Sequence, residues 1–239
     1  MSYDSVIAAD SPAAWWKLAD AAGSSTAADS SGNGWTGTPT AGVTFGSPSY
    51  AVPGDTSAVF SGTADVATAF NPAYAAGVSL EAWINFNGTF PAGNPRALAN
   101  AHTDFSFAPD YAKGFELVAA DSTHSGSPVA WFGNGTVAAG AVFGVALPAS
   151  GWSHIVATWD GTTIRTYVNA VSYGIASLSG SLPAGSTGTA LACNPAYAGD
   201  YLTGSLAECA VYSYVLTAAQ IAAHYAAATL PGLLWAAVI

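Results

Sequence analysis

Alternating apolar and polar residues along the chain indicate β-strands. In the segment 78–86, Val, Leu, Ala, Ile and Phe take every second position and Ser, Glu, Trp and Asn lie between them, which predicts a half-buried strand. The segments 152–159 and 162–168 flank Asp160-Gly161, a dipeptide that favours the positive backbone angles of a tight turn. We therefore predict an antiparallel hairpin there. Weaker strand signals lie at 57–60, 65–70, 115–119, 129–132, 141–147, 171–178 and 189–193.

The last predicted strand, 206–212, leads into the one convincing helical segment, 218–228. Thr217 and Gln220 have the spacing of a capping box, and Leu216 and Ile221 fall at the two positions of a hydrophobic staple. Because no helices alternate with the strands, a parallel sheet is not expected. The pattern predicts an all-β, two-layer antiparallel sandwich with one short C-terminal helix. We assign residues 1–228 to this domain and 229–239 to a tail.

Composition limits the partners of the chain. Of 239 residues, 51% are hydrophobic and 8% are charged, with 26 glycines and 13 prolines spread as turn signals. Four cations stand against fourteen carboxylates, which gives a net charge of −10. Nucleic-acid binding needs clustered Lys and Arg, so a nucleic-acid partner is not expected, and an anionic membrane is disfavoured for the same reason. The cations are Lys17, Arg96, Lys113 and Arg165.

A series of motifs occurs in the order typical of one known family. An aromatic stretch at 11–20 is followed by Asp-Ser-Ser-Gly-Asn-Gly at 29–34, and the strand-to-helix segment 204–225 closes the pattern. Together with the motifs between them, they resemble the laminin-G-like domains of the concanavalin-A-like lectin/glucanase superfamily. The resemblance implies a jelly-roll sandwich. The intervening motifs are 58–62, 80–84, 152–161 and 165–169.

Two residues depart from the family pattern. Ala170 stands where the family usually has Gly after Asn or Asp, and Ala207 stands where it often has Asp before Glu. The resemblance implies that the second change removes a carboxylate that could assist a calcium site. Asp29 and Asn33 remain weak calcium candidates, because their oxygens lie in a glycine-containing loop. Asx residues stabilise such turns without metal, so we favour a turn and predict no cofactor.

Catalysis has no clear constellation in the sequence. A related glycan hydrolase would need two carboxylates on one strand, one as nucleophile and one as acid, whereas Glu81, Glu116 and Glu208 lie on separate segments. We expect each of them at the rim or on the solvent side, although pairing across a cleft stays open. The four histidines show no zinc-binding spacing. The sequence therefore predicts no enzyme activity.

The two cysteines leave two readings open. Cys193 and Cys209 lie on segments that could pair as neighbouring strands, so a disulfide is geometrically feasible. No secretory signal is readable at the start of the chain. We therefore favour two buried free thiols that pack as small apolar groups.

Aromatic residues fall into two groups. Those within the family motifs are expected in the core, while those near loops are better placed to stack on sugar rings. The predicted core tryptophans are Trp15, Trp16, Trp83, Trp152 and Trp159, and the predicted glycan contacts are Trp35, Tyr111, Trp131 and Tyr197.

The apolar C-terminal tail is the strongest pointer to a protein partner. Burying one large side chain contributes about 1.5–3 kcal/mol, so several of them in water would promote aggregation. The tail is too short to span a bilayer, and we expect it to dock on its own sandwich or on another subunit. The predicted partner-binding residues are Leu233, Leu234, Trp235, Val238 and Ile239.

A lectin-type fold, no readable export signal and an apolar tail together favour a virion accessory protein. The leading hypothesis is a non-enzymatic bacteriophage structural protein, either a capsid decoration or a tail-associated subunit, made in the host cytoplasm. Its partners would be other virion proteins or identical subunits, and one face would be exposed to surface glycans. The alternatives are an extracellular carbohydrate-binding or adhesion module and a relative of glycoside hydrolases.

Overall fold

The computed structural model describes residues 2–49, 51–52, 54–86, 94–100, 112–195 and 200–229. These residues form fifteen strands, two α-helices and one 3-10 helix, Ser122–His124. The helices are α1 (Tyr3–Ala9) and α2 (Ala218–Thr229). The strands are β1 (Ala14–Trp16), β2 (Thr38–Pro39), β3 (Val43–Pro48), β4 (Thr56–Ser61), β5 (Val66–Ala67), β6 (Val78–Phe86), β7 (Arg96–Ala99), β8 (Lys113–Val118), β9 (Val129–Asn134), β10 (Ala138–Val142), β11 (Ser153–Trp159), β12 (Thr163–Val168), β13 (Val171–Ser177), β14 (Ala190–Leu191) and β15 (Thr203–Tyr212).

The strands form two antiparallel sheets, as the sequence predicts. Sheet I has the order β13-β12-β11-β6-β15-β4-β3, with β1 also paired to β15, and sheet II has the order β10-β9-β8-β7-β14-β5-β2. The predicted hairpin is confirmed as β11 and β12, where Trp159 pairs with Ile164. The two-layer antiparallel sandwich is thus the architecture of the chain.

The main hydrophobic core lies between the two sheets. The core face of β6 is the predicted set of alternate apolar residues, which are all buried. The other face of β6 is buried as well, since Trp83 is 2% exposed, and the expectation of a half-buried strand is therefore wrong. A second cluster covers this outer face of sheet I, with side chains from α1, α2 and the strands. Of the predicted core tryptophans, Trp15, Trp16, Trp83 and Trp159 are buried and Trp152 is partly buried.

The N-terminal helix α1 corrects the prediction of a single helix. The Ser2 hydroxyl caps it by accepting a hydrogen bond from Ser5 N. Tyr3 and Ile7, one turn apart, are buried in the second cluster. A seven-residue helix gains little from propensity and is stabilised by packing of its apolar face. The sequence signal was therefore a single pair of apolar residues after a capping serine.

The C-terminal helix α2 confirms its predicted start signals. Gln220 N donates to Thr217 Oγ1 at 3.2 Å and Thr217 N donates to Gln220 Oε1 at 3.0 Å, which is the reciprocal capping box. Leu216 and Ile221 are both buried as the staple. The helix includes Thr229, the first residue of the predicted tail. Residues 230–239, with all five predicted partner-binding residues, lie outside the described residues, so tail docking stays a prediction.

No helix within the described ranges is long and apolar enough to cross a membrane.

We expect Ile7→Ala to lower the free energy of unfolding by about 2–4 kcal/mol, because it leaves a cavity beneath α1. Ile7 is 1% exposed. Urea unfolding followed by circular dichroism measures the loss. Val6→Ala, one residue away on a partly exposed side of the same helix, is the control and should cost less than about 1 kcal/mol. Equal effects of the two variants would show that α1 does not pack as described.

Candidate functional site

The outer face of sheet II carries a row of residues that crosses all seven strands. Strand register aligns Glu116 with Trp131 on one side and with Ala99 on the other. Their chain neighbours Phe115 and Leu117 belong to the core, so the row faces away from it. In order across the sheet, the row is Gly140, Trp131, Glu116, Ala99, Ala190, Ala67 and Thr38.

At the alanine end of this row lies a cleft of about 450 Å³. Its floor is Ala67 and Ala190, whose small side chains leave room above β5 and β14. Polar groups and one aromatic ring form the walls. They are Asp65, Thr68, Thr187, Asn194 and Tyr201. A cleft of this size, with a few polar groups around an apolar floor, is typical of small-ligand sites.

Some of the polar groups in the cleft are held in place and one is unused. Thr68 Oγ1 donates to Thr189 O at 2.8 Å, and Thr40 Oγ1 donates to Asp65 Oδ1 at 2.9 Å. The Thr187 hydroxyl is buried without a hydrogen-bond partner among the described residues. Buried polar groups are normally satisfied, so this hydroxyl is an exception in the wall of the cleft.

The thiol and the phenol beside Asp65 are neutral at neutral pH. Burial, together with the nearby Asp65 carboxylate, raises the pKa of Cys193. Burial also raises the pKa of Tyr201, and the neighbouring Cys193 and Asp65 act in the same direction. Cys193 and Cys209 are both buried and free. This agrees with the favoured prediction of two free thiols rather than a disulfide.

A buried ion cluster supports the wall of the cleft. Arg96 Nε donates to Glu116 Oε2 at 2.8 Å, and Arg96 Nη1 lies 3.2 Å from Asp200 Oδ2. Asp200 also accepts a hydrogen bond from Asn94 N at 2.9 Å. Because Asp200 directly precedes Tyr201, these contacts fix the backbone that presents the aromatic ring.

One guanidinium faces two carboxylates in this cluster. Burial raises the pKa of Glu116 to about 7, and Asp200 adds to the rise, while Arg96 opposes it. Glu116 Oε1 has no hydrogen-bond partner among the described residues. The cluster therefore takes up a proton near neutral pH.

The expectation that the three glutamates lie at the rim is wrong. Glu81 and Glu116 are 0% exposed and Glu208 is 1% exposed. Glu208 lies in a β-bulge of β15 with φ 55° and accepts a hydrogen bond from Trp15 Nε1 at 2.7 Å. Buried carboxylates are tolerated where they are paired or hydrogen-bonded, and none of these three reaches the surface that a glycan would contact.

Glu81 is the centre of a hydrogen-bonded network beneath the helices. Its Oε1 lies 2.6 Å from His154 Nε2, and its Oε2 lies 3.0 Å from His224 Nδ1 and accepts from Tyr212 at 2.8 Å. Burial alone would raise the pKa of Glu81, but the two histidines outweigh it and hold the pKa well below the usual range. His224 also reaches Asp10 Oδ2 at 2.8 Å. The network joins the outer face of sheet I to both helices.

The predicted glycan-contact residues are only partly brought together. Trp131 lies on the same outer face as the cleft, half-buried, with its indole over Gly140. Trp35 is at the margin of the core, where it packs edge-on against Phe70 at 5.4 Å. Tyr111 and Tyr197 lie outside the described residues. Sequence reasoning missed Tyr201, although it follows the turn signal Asn194-Pro195 by six residues.

The weak calcium candidates form a turn. Each Asp29 carboxylate oxygen accepts two hydrogen bonds. Oδ1 accepts from Trp15 N and Ser31 N, and Oδ2 accepts from Ser31 Oγ and Trp35 N. Partial burial opposes ionisation, yet these hydrogen bonds lower the pKa of Asp29. Asn33 donates to Ala13 O. The geometry supports the turn interpretation, and the expectation of no cofactor stays a prediction.

Comparisons with known proteins place this architecture in a family. A family model described as the concanavalin A-like lectin/glucanases superfamily matches residues 60–222. None of the curated protein sequences compared with the chain matches it. Domain 4 of AbnA, a GH43 extracellular arabinanase from Geobacillus stearothermophilus solved with arabinotriose, superposes with a TM-score of 0.68 at 17% identity. That match covers 90% of this chain and 98% of the domain.

Two toxin structures share the fold. The binding domain of Paraclostridial Mosquitocidal Protein 1 gives a TM-score of 0.63 at 13% identity and covers 89% of this chain and 51% of that one. A structure of botulinum neurotoxin type C, whose cell entry depends on interaction with two ganglioside molecules, gives a TM-score of 0.62 at 10% identity. That match covers 92% of this chain and 52% of the toxin chain. The chain spans about half the length of these toxin chains.

We expect the free energy of unfolding to fall by about 2–3 kcal/mol as the pH rises from about 5 to about 8. The folded state binds protons more strongly in this range, because the pKa of Glu116 is raised from 4.5 to about 7. Burial lowers the pKa of His224, but Glu81 and Asp10 raise it above 6.5 overall, which adds to the fall. Glu81 stays ionised throughout, so its contribution is lost only at lower pH.

Urea unfolding at several pH values measures this dependence, and Glu116→Gln is the informative variant. It leaves Arg96 paired one-to-one with Asp200 and should flatten the slope. A free energy of unfolding that is constant or rises with pH in the unsubstituted chain would contradict the raised pKa values.

Proposed function

Since the chain belongs to the concanavalin A-like lectin/glucanases superfamily, we propose that it is a non-catalytic carbohydrate-binding domain. The observation that carries the proposal is the cleft on the outer face of sheet II. Its alanine floor, its ring of polar groups and Tyr201 suit a polyhydroxylated ligand with apolar faces. On the opposite sheet, both helices pack against the outer face over a second apolar cluster.

The chemistry of the cleft suits a sugar ring. The Asp65 carboxylate in the wall of the cleft can accept hydrogen bonds from neighbouring sugar hydroxyls. The ring of Tyr201 can stack against the C–H face of a pyranose or furanose while its phenol remains hydrated. Trp131 on the same face of the sheet could extend the contact to a longer chain.

The buried glutamates support a non-catalytic role. Glycoside hydrolysis needs two carboxylates about 5–10 Å apart that both reach the scissile bond. Glu81, Glu116 and Glu208 are 0–1% exposed and hold structural contacts. A glycoside-hydrolase role is therefore the less supported alternative.

The solved relatives support the same direction. Domain 4 of the arabinanase was solved with arabinotriose. The mosquitocidal-protein structure is of a binding domain, and cell entry of botulinum neurotoxin type C depends on interaction with gangliosides. At 10–17% identity they share the fold with this chain. An extracellular carbohydrate-binding or adhesion module fits this setting.

A second candidate is a structural subunit of a bacteriophage virion that contacts identical subunits or other virion proteins. It is favoured by exposed large apolar side chains on β13, an edge strand of sheet I, and beside β10, the neighbouring edge of sheet II. The chain also has only 8% charged residues, which suits a surface packed against neighbours. The exposed residues are Val137 at 54%, Val171 at 55%, Tyr173 at 43% and Ile175 at 64%.

We expect Tyr201→Ala to weaken glycan binding by about three- to tenfold, the loss of one aromatic stacking contact. Isothermal titration against arabinotriose, xylotriose, cellotriose, maltotriose and lactose measures the affinity. Tyr173→Ala removes an exposed tyrosine from the other sheet and should leave binding unchanged. If no oligosaccharide of the panel binds, the carbohydrate-binding proposal fails, and equal losses in both variants would reject this cleft.

For the assembly role, we expect the chain to form oligomers that Ile175→Lys and Val171→Lys dissociate, because each places a charge on the exposed edge strand. Sedimentation velocity at several concentrations measures the mass. Ser25→Lys, on an exposed loop, is the matched control and should leave the oligomer intact. A chain that remains monomeric at all concentrations would count against assembly through this edge.

A further inference from the structure

We propose that the cleft selects neutral glycans and rejects anionic ones, with Asp65 as the residue that determines this specificity. The proposal rests on the carbohydrate-binding function above and names the class of sugar that the same site takes. It follows from the distribution of charge around the cleft.

No fixed cation is placed to receive an anionic sugar. Lys17 lies between Asp4 and Asp55, with its Nζ 2.8 Å and 3.3 Å from their carboxylates. Arg96 is buried between Glu116 and Asp200. Lys113 and Arg165 lie on β8 and β12 and do not line the cleft. These four are all the lysines and arginines of the chain.

The segments that the structure does not describe bring no fixed positive charge either. Residues 1, 50, 53, 87–93, 101–111, 196–199 and 230–239 contain no lysine and no arginine. They do contain Asp104 and Asp110. Wherever these segments lie, the balance of fixed charge around the site stays negative.

Asp65 places one carboxylate in the wall of the cleft. Its Oδ1 is anchored by the Thr40 hydroxyl at 2.9 Å, and its backbone N–H donates to the same hydroxyl at 2.8 Å. The carboxylate is therefore fixed in position. A fixed acceptor suits sugar hydroxyls, which donate hydrogen bonds, and it repels a sugar carboxylate or sulfate.

The other polar groups of the cleft do not compensate this charge. Tyr201 and Cys193 are neutral at physiological pH, and burial raises the pKa of each further above its ordinary alkaline value. The threonine hydroxyls and the Asn194 amide carry no charge. Two like charges several ångströms apart in a partly enclosed site cost enough to weaken binding by about tenfold or more.

The test compares matched neutral and acidic sugars on the full-length chain. Suitable pairs are lactose with 3′-sialyllactose, galactobiose with digalacturonic acid, and cellobiose with cellobiouronic acid, measured by isothermal titration. We expect the neutral member of a bound pair to bind at least about tenfold more tightly than its acidic partner. Asp65→Asn keeps an acceptor oxygen and should reduce this ratio to about threefold or less.

Asp160→Asn is the matched control. It removes one carboxylate from the β11–β12 turn of sheet I, where Asp160 Oδ1 accepts hydrogen bonds from Thr162 N and Thr163 N. It makes the same change in net charge and should leave the neutral-to-acidic ratio unaltered. If it relaxes the ratio as much as Asp65→Asn does, overall charge rather than Asp65 is responsible, and the assignment of Asp65 is overturned.

Salt provides a second readout that needs no variant. Raising the ionic strength from about 0.05 M to about 0.5 M screens charge repulsion, so the acidic partners should gain affinity relative to the neutral ones. Acidic sugars that bind the unsubstituted chain as tightly as their neutral partners would overturn the selectivity while leaving carbohydrate binding intact. Binding of no sugar in either class overturns both.

Discussion

The arrangement of the molecule depends on the hydrogen bonds and ion pairs that the buried carboxylate of Glu81 makes. A buried charge is costly unless it is paired and hydrogen-bonded. Glu81 meets this requirement with contacts to His154 on β11, Tyr212 on β15 and His224 on α2. His224 continues to Asp10, just beyond α1. Removing either histidine would leave the buried Glu81 charge without one of the partners that compensate it, and the contacts of His224 and Asp10 hold both helices on sheet I.

This constraint makes the two outer faces of the sandwich different. Sheet I is covered by α1 and α2 over a second apolar cluster. Sheet II has no helix over its outer face within the described residues, and two alanines of its outer row, Ala67 and Ala190, line the polar cleft. Its buried ion cluster is less complete than the Glu81 network, because one guanidinium serves both Glu116 and Asp200. Burial is the main reason why the pKa of Glu116 is raised to about 7, and the second carboxylate, Asp200, adds to it.

The sequence pattern predicted those features of the fold that depend on residues close together in the chain. The β11–β12 hairpin, the core face of β6 and the Thr217–Gln220 capping box each depend on residues within a few positions of one another. The burial of Glu81 depends on histidines 73 and 143 residues away, and no short window of sequence contains that information. Helix α1 was missed for the same reason, since packing on a distant sheet stabilises it.

Two departures from local rules show where tertiary context prevails. Ala170 has φ 65° in the β12–β13 turn, a conformation that favours glycine, and the turn is held because both flanking strands are paired. In the site, the aromatic ring beside the cleft is Tyr201, which the pattern did not single out, and its position is set by the contacts of Asp200 with Arg96 and Asn94.

Several of the few charges of the chain are used inside the molecule. All three glutamates are buried, Arg96 is 5% exposed, and Lys17 lies between two aspartates. Charges that hold the fold together are not available to a ligand, and the surface that remains is rich in hydroxyl, amide and small apolar groups. Such a surface recognises partners by hydrogen bonds and apolar contact rather than by opposite charge. A polyhydroxylated neutral ligand and an uncharged edge of another protein can both be recognised in this way. The composition of the chain is therefore compatible with glycan binding on one face and with packing against a neighbouring protein on another.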